Sequence, residues 1–213
     1  MTDSTRLIKS LLFDWDGTVV DSAQLGLTAY EKSFAQLGIP FDHETYANVY
    51  SPNWLAVYEG MGLPKEQWQR ADELWTQHYG EQSAELIKDA GETIAQLRKK
   101  GYRLGVVSSG NDCRVNREIK ELGLAGSFEV VVCHEQITNR KPHPEGLETA
   151  MRSLGCSKSE VGYVGDTPED IEMGKGAGVL TVGVRSAYPT NWKLRSCSPD
   201  IYLESLSELS EHF

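Results

Sequence analysis

Long apolar runs are missing from this chain, and none approaches the roughly 20 residues needed to cross a bilayer. Met1 to Ser10 has polar residues throughout and lacks the long apolar core of a secretory leader. Cysteine is sparse. Cys113, Cys133, Cys156 and Cys197 are scattered without a Cys-x-x-Cys pair, which argues against a zinc site or a disulfide framework and for reduced thiols in a cytoplasmic protein. Positive charge is also short: 21 Lys and Arg stand against 31 Asp and Glu, a net −10. Such a surface suits neither nucleic acid nor an anionic membrane, so neither is expected as a partner. An anionic small substrate would need a local cation. There is no internal repeat and no low-complexity segment to suggest a solenoid or a disordered tail.

What is present suits a globular fold. A chain of 213 residues accommodates one α/β domain plus an insertion, or two small domains. The stretch that organises it is Leu11-Leu12-Phe13-Asp14-Trp15-Asp16-Gly17-Thr18. A largely apolar strand, Leu7 to Phe13, ends in two carboxylates spaced i, i+2, which point the same way from an extended backbone. Clustered acids need a cation, a proton or a polar partner, and a hard divalent cation with oxygen ligands suits them. Alone, the pattern reads equally as a solvated turn.

Leu27, Tyr30, Phe34 and Leu37 then fall on one helical face, closed by Gly38 and Pro40, and Asp42 or His43 opens the next helix. From there to Ile87 the stretch holds four of the nine tyrosines, three of the five tryptophans and no convincing strand. Residues 22–87 read as an all-helical insertion. Trp68, Trp75 and Tyr79 fit core filling, whereas Tyr50, Asn53 and Trp54, beside a Ser-Pro-Asn turn, are better placed to face a substrate. From Asp89 onward helices alternate with strands: helix 89–100, strand 103–107, helix 112–122, strand 128–133, helix 144–154, strand 161–164, helix 168–175, strand 179–184, and a last short strand at 200–203 before a helix near 205–211. That alternation implies a parallel sheet wrapped on both faces. Right-handed crossovers then bring every strand's carboxyl end to one rim.

Four elements meet at that rim. Asp14 and Asp16 form the first. Ser108 and Ser109, at the tip of a second strand and followed by Gly110, could hold a phosphate oxygen or merely turn the chain. Lys141 stands in Arg-Lys-Pro-His-Pro-Glu on a proline-stiffened loop, where it could neutralise a phosphate or lie exposed. Asp166 ends a further strand, and Asp170 follows in the first turn of a helix, where negative charge is favourable in any case. His143 reads as a turn residue. Asn111 and Arg114 could reach a substrate, but Arg114 reads better as a solvated helix residue.

Taken together, Asp-x-Asp-Gly-Thr, the strand-end Ser, Lys-Pro-x-Pro-Glu and Gly-Asp-x-x-x-Asp resemble the haloacid dehalogenase superfamily, in its phosphoglycolate phosphatase and β-phosphoglucomutase branch. The resemblance implies a Rossmann-like doubly wound core at 1–21 and 88–213 and a helical cap at 22–87. It implies a phosphatase acting on a small phosphorylated metabolite, with Asp14 as nucleophile and Asp16 as acid and base. Mg²⁺ would sit between the Asp14 carboxylate, the Asp16 backbone carbonyl and Asp166. Ser108, Ser109 and Lys141 would hold the phosphoryl group, and Asp170 would support the metal or Lys141 from behind. A sugar-phosphate mutase is the alternative, and a non-catalytic binding protein of the same fold a weaker one. Asp16 favours phosphate chemistry over dehalogenation. Lys32 and Lys65, the only lysines at 22–87, do not suit a Schiff base. The substrate and the oligomeric state are left open.

Overall fold

The computed structural model describes residues 7–213; residues 1–6, part of the stretch read above as lacking a leader, lie outside them. In chain order the elements are β1 (Ser10–Phe13), β2 (Val20–Asp21), α1 (Ala23–Gln36), α2 (His43–Val49), α3 (Trp54–Gly60), α4 (Trp68–Tyr79), β3 (Glu85–Leu86) and α5 (Ala90–Lys99). There follow β4 (Arg103–Val107), α6 (Asp112–Glu121), β5 (Val130–Val132), α7 (Glu145–Leu154), β6 (Val161–Gly165), α8 (Pro168–Ala177), β7 (Leu180–Val184), β8 (Ile201–Leu203) and α9 (Leu209–His212).

Six strands form a parallel sheet in the order β5-β4-β1-β6-β7-β8. The side-chain alternation of β1 explains why helices cover both faces. Leu11 and Phe13 pack with Ile94, Leu97, Val115 and Ile119 of α5 and α6. Leu12, between them, points the other way, toward Leu147 and Met151 of α7 and Met173 of α8. The core is therefore the α/β, doubly wound arrangement expected. The first strand is shorter than expected because Leu7 projects into solvent and Lys9 pairs with Glu160 at the sheet's lower edge.

Between β2 and β3 the chain runs through four α-helices, α1 to α4. Asp42 caps α2 by accepting the Thr45 N–H at 2.7 Å, as its position predicts. Phe34, Tyr46, Tyr58 and Ala71 form a hydrophobic cluster of their own, with α1 packed along α4. β3 was not foreseen. It pairs antiparallel with β2, Val20 opposite Leu86, so the chain leaves and re-enters the sheet layer through one two-stranded ribbon. A two-residue strand carries no periodicity to read. The segment expected as a final helix divides into a 3₁₀ turn at Leu206–Glu208 and the short α9. Among the described residues no helix is long and apolar enough to cross a membrane.

Gly105 shows how tightly the central strands approach. A Cβ there would lie 2.7 Å from Leu12 Cδ2 and 3.1 Å from the Val130 carbonyl oxygen. Gly105→Val is expected to lower stability by about 1–3 kcal/mol. Urea denaturation followed by circular dichroism measures it, and an unchanged midpoint would contradict the packing described.

Candidate active site

The three central strands end level. Phe13 of β1 lies opposite Val106 of β4 and Val164 of β6, so the residues that follow share one rim. Asp14 continues the ladder, its N–H donating to the Val164 carbonyl at 2.8 Å, and Ser108 does the same to Val132 at 2.9 Å. The chain also switches sides here: β4 and β5 lie to one side of β1 and β6 to β8 to the other. Open α/β sheets place ligand crevices at such a point.

Lys141 is buried at this rim, not exposed on its loop. Its ammonium donates to Asp14 Oδ1 at 2.5 Å and to Asp170 Oδ1 at 2.8 Å. Asp170 also accepts from the Tyr163 hydroxyl and, through Oδ2, from the Thr167 N–H and hydroxyl. Burial acts to raise the Asp170 carboxyl, but Lys141, Thr167 and Tyr163 outweigh it and hold the group below the usual carboxylate range. Lys141 loses hydration on burial, yet its two carboxylate partners keep it firmly charged. Asp166 accepts from the Ser186 hydroxyl at 2.6 Å and the Thr18 hydroxyl at 3.3 Å. Gly17 makes room for this: at φ +82°, a Cβ there would lie 2.5 Å from Asp166 Oδ2 and 2.6 Å from the Tyr188 ring.

Asp16 turns away from that group. Arg114 grips it with two hydrogen bonds, Nη2 to Oδ2 at 2.6 Å and Nη1 to Oδ1 at 3.0 Å. Arg114 is buried rather than solvated, which corrects the expectation. It also pairs with Glu118 at 3.2 Å, and Glu118 accepts the Trp15 indole N–H at 2.7 Å. The middle residue of Asp-Trp-Asp thus holds the acid that holds the arginine that holds Asp16. An Arg–Glu pair at i, i+4 reads in a sequence as a surface contact, so nothing local betrayed the burial. Burial acts to raise Asp16, but Arg114 more than offsets it and keeps the carboxyl below its ordinary value.

A cavity of about 540 Å³ opens between this rim and helices α1 to α4. Asp14, Asp16, Ser108 and Ser109 line its floor, and Tyr50 and Trp54 its roof; Asn53 is not among the lining residues and instead heads α3. Trp75 and Tyr79, expected as core filling, line the cavity as well, whereas Trp68 packs inward with its indole N–H on the Leu63 carbonyl. Tyr188, which sequence reasoning missed, stacks on Tyr50 at 4.8 Å and hydrogen-bonds the Ser22 hydroxyl at 3.0 Å. Ser186 was missed too. It lies two residues beyond β7, and the strand-end rule that singled out Ser108 would have found it.

The family described as haloacid dehalogenase-like hydrolase matches residues 11–184. The chain belongs to that family. Pyrophosphatase PpaX of Listeria monocytogenes is 32% identical to it over 211 residues, covering 96% of each chain. Pyrophosphatase PpaX of Bacillus velezensis is 31% identical over 217 residues, covering 98% of this chain and 97% of its own. A crystal structure described as a predicted phosphoglycolate phosphatase from Haemophilus somnus has a TM-score of 0.87 at 20% identity, covering 98% of this chain and 99% of its own, a likeness of fold alone.

In this haloacid dehalogenase-like hydrolase, oxygens of Asp14, Asp166 and Asp170 lie within 4.8 Å of one another. Only one ammonium touches this group among the described residues. Burial pushes Asp14 up to about 7 despite Lys141, with Asp170 and Asp16 adding to the rise. Burial, then Asp14 and Asp170, drive Asp166 well above its ordinary value. Buried carboxylates in excess of cations are the donor set a hard divalent ion fits. Each oxygen of Asp170 already accepts two hydrogen bonds, whereas those of Asp14 and Asp166 accept at most one each and have a lone pair to turn to an ion.

Two predictions follow from these charges. The folded metal-free protein holds a proton on Asp14 more tightly than the unfolded chain does, so the contribution of Asp14 to stability is lost as pH rises from about 4 to 7. Added Mg²⁺ should therefore raise the melting temperature more at pH 8 than at pH 5 by differential scanning fluorimetry; an equal rise at both would count against the site. Arg114→Met leaves Glu118 buried beside an apolar group and should lower stability by about 3–5 kcal/mol. Adding Glu118→Leu should recover part of that loss, and strictly additive losses in the double-mutant cycle would refute the coupling.

Proposed function

We propose that this enzyme is a Mg²⁺-dependent phosphatase that hydrolyses a small phosphorylated metabolite through an aspartyl-phosphate. The observation that carries the reading is Asp14: a buried carboxylate on the cavity floor, fixed by Lys141 through one oxygen. Its other oxygen is left to attack. The phosphatase names of the relatives support the same reaction class.

Asp14 attacks phosphorus; a bond forms to its carboxylate oxygen as the bond to the leaving oxygen breaks. Asp16 gives that oxygen a proton. Water then attacks the aspartyl-phosphate, Asp16 takes a proton from it, and the Asp14–phosphorus bond breaks to release inorganic phosphate. In its present pair with Arg114, Asp16 is held ionised, the form that accepts the proton from water. Donating one requires it to leave that grip. The Ser108 hydroxyl accepts the Gly110 N–H at 2.9 Å, which leaves its own proton for a phosphoryl oxygen. Ser109 lines the floor beside it. Asp14, Asp166 and the Asp16 backbone carbonyl would hold Mg²⁺, which supplies charge neutralisation at the phosphoryl group. Lys141 holds Asp14 in place and stays charged beside the reacting group.

Residues 22–87 act as the cap over a core of residues 1–21 and 88–213; the β2–β3 ribbon at their junction and the separate hydrophobic cluster of α1 to α4 support this division. Tyr50 and Trp54 are the cap's contribution to substrate choice. The four free cysteines support a cytoplasmic setting.

Purified protein should release phosphate from acetyl phosphate or p-nitrophenyl phosphate with Mg²⁺ and lose that activity with chelator. Asp14→Asn should lower the rate by about a thousandfold or more. Acid-quenched single turnovers with labelled substrate should trap an acyl-phosphate on the wild-type chain. Turnover that survives Asp14→Asn would remove Asp14 as nucleophile.

A further inference from the structure

The cavity wall that faces the leaving group is unusual in its charge. Six tyrosines and two tryptophans line the cavity. Burial keeps the hydroxyls of Tyr30, Tyr46 and Tyr50 un-ionised. The lining acids beyond Asp14 and Asp16 are Asp72 and Glu73, both on α4. Glu73 is paired with Arg70 at 2.9 Å. Asp72 accepts the Tyr58 hydroxyl through Oδ1 at 3.0 Å; burial raises its carboxyl, while Tyr58, the Trp54 indole and the charges of His134 and Arg140 act the other way. Among the described residues the lining offers no spare cation. Arg114 is paired with Asp16 and, when Asp16 leaves that pair to donate its proton, still with Glu118 at 3.2 Å. His134 packs its ring edge against Trp54, with Nδ1 at 3.2 Å from the Gly110 carbonyl oxygen. Arg140 lies over the Trp54 ring at 3.8 Å and is not a lining residue.

An anionic leaving group would enter a cavity lined on that side by two acids, Asp72 and Glu73, with Arg140, whose charge acts on Asp72, set behind the Trp54 ring and outside the lining. Burying an unpaired charge is costly. A flat uncharged ring meets the opposite situation: aromatic faces to stack on and a carboxylate oxygen to accept its N–H or O–H. A cationic group gains from both the rings and Asp72. The volume, about 540 Å³, is that of a site for a ring-bearing metabolite.

We infer that the substrate is a phosphate monoester whose leaving alcohol is uncharged or cationic and carries a flat ring, of the kind found in nucleoside monophosphates, and that a second phosphate or a carboxylate on that side is disfavoured. This rests on the phosphatase reading above. It also sets this chain apart from the pyrophosphatase activity named for its relatives, because pyrophosphate leaves as an anion.

The test compares kcat/KM, with Mg²⁺ present, for benzyl phosphate and adenosine 5′-monophosphate against phosphoglycolate and pyrophosphate. Benzyl phosphate and phosphoglycolate are both esters of primary alcohols, so they differ chiefly in ring and charge. The ring-bearing pair is expected to lead by about tenfold or more. Equal values, or a lead for either anionic leaving group, overturn the inference. Asp72→Asn should narrow the ratio by several-fold, and an unchanged ratio removes Asp72 from the argument for discrimination. Failure of every substrate, acetyl phosphate included, rejects the phosphatase reading instead. In that case binding still decides this inference: benzyl alcohol and adenosine should quench intrinsic tryptophan fluorescence at lower concentration than glycolate, and the reverse order defeats it.

Discussion

The Lys141 ammonium is the contact on which the rim depends. It touches Asp14 at the end of β1 and Asp170 at the start of α8, from a loop that precedes α7. Three separate chain segments are tied at one buried point. Taken out of water alone, any of these charges would be expensive. Held together they are mutually compensated, except that carboxylate outnumbers ammonium. That imbalance is what raises Asp14 and Asp166 and what makes the group receptive to a divalent ion.

A second buried pair works beside the first and keeps the two acids of Asp-Trp-Asp in different states. Asp14 faces Lys141 and the other carboxylates; Asp16 faces Arg114. Burial acts on both, but the balance of neighbouring charge differs, so one rises and the other falls. Two acids two residues apart thus acquire the distinct chemistry proposed for them. Arg114 also lies over the Tyr79 ring at 4.8 Å, so the same guanidinium links the sheet layer to α4. Tyr50 on Tyr188 and Arg140 over Trp54 add two further contacts of this kind. Each is an aromatic face, worth little alone and able to part without leaving a charge stranded.

Legibility followed the range of the interaction. Helix α1, the Asp42 cap and the alternation from Asp89 onward were readable because each is a local pattern of spacing or capping. Asp14, Ser108 and Asp166 could be assigned to one rim because parallel strands all end on the same side; Lys141 stands on a loop, which that rule does not reach. Trp75 and Tyr79 were not readable as cavity residues: helical spacing says that a side is apolar, not whether a helix or an empty space lies beyond it. Asn53 sat in the right turn but is used to head α3. Arg114 was misread because its partners, Asp16 and Tyr79, are 98 and 35 residues away.

The sequence by itself determined the α/β class, the helical excursion after the first strand and the set of acids that gather at the sheet's rim, since these follow from periodicity and from the handedness of crossovers. Only the tertiary structure decided which acid each cation holds, that Arg114 is buried, and that an aromatic cavity without a spare positive charge stands over Asp14. Those features depend on distances between residues far apart in the chain, and no local pattern encodes a distance.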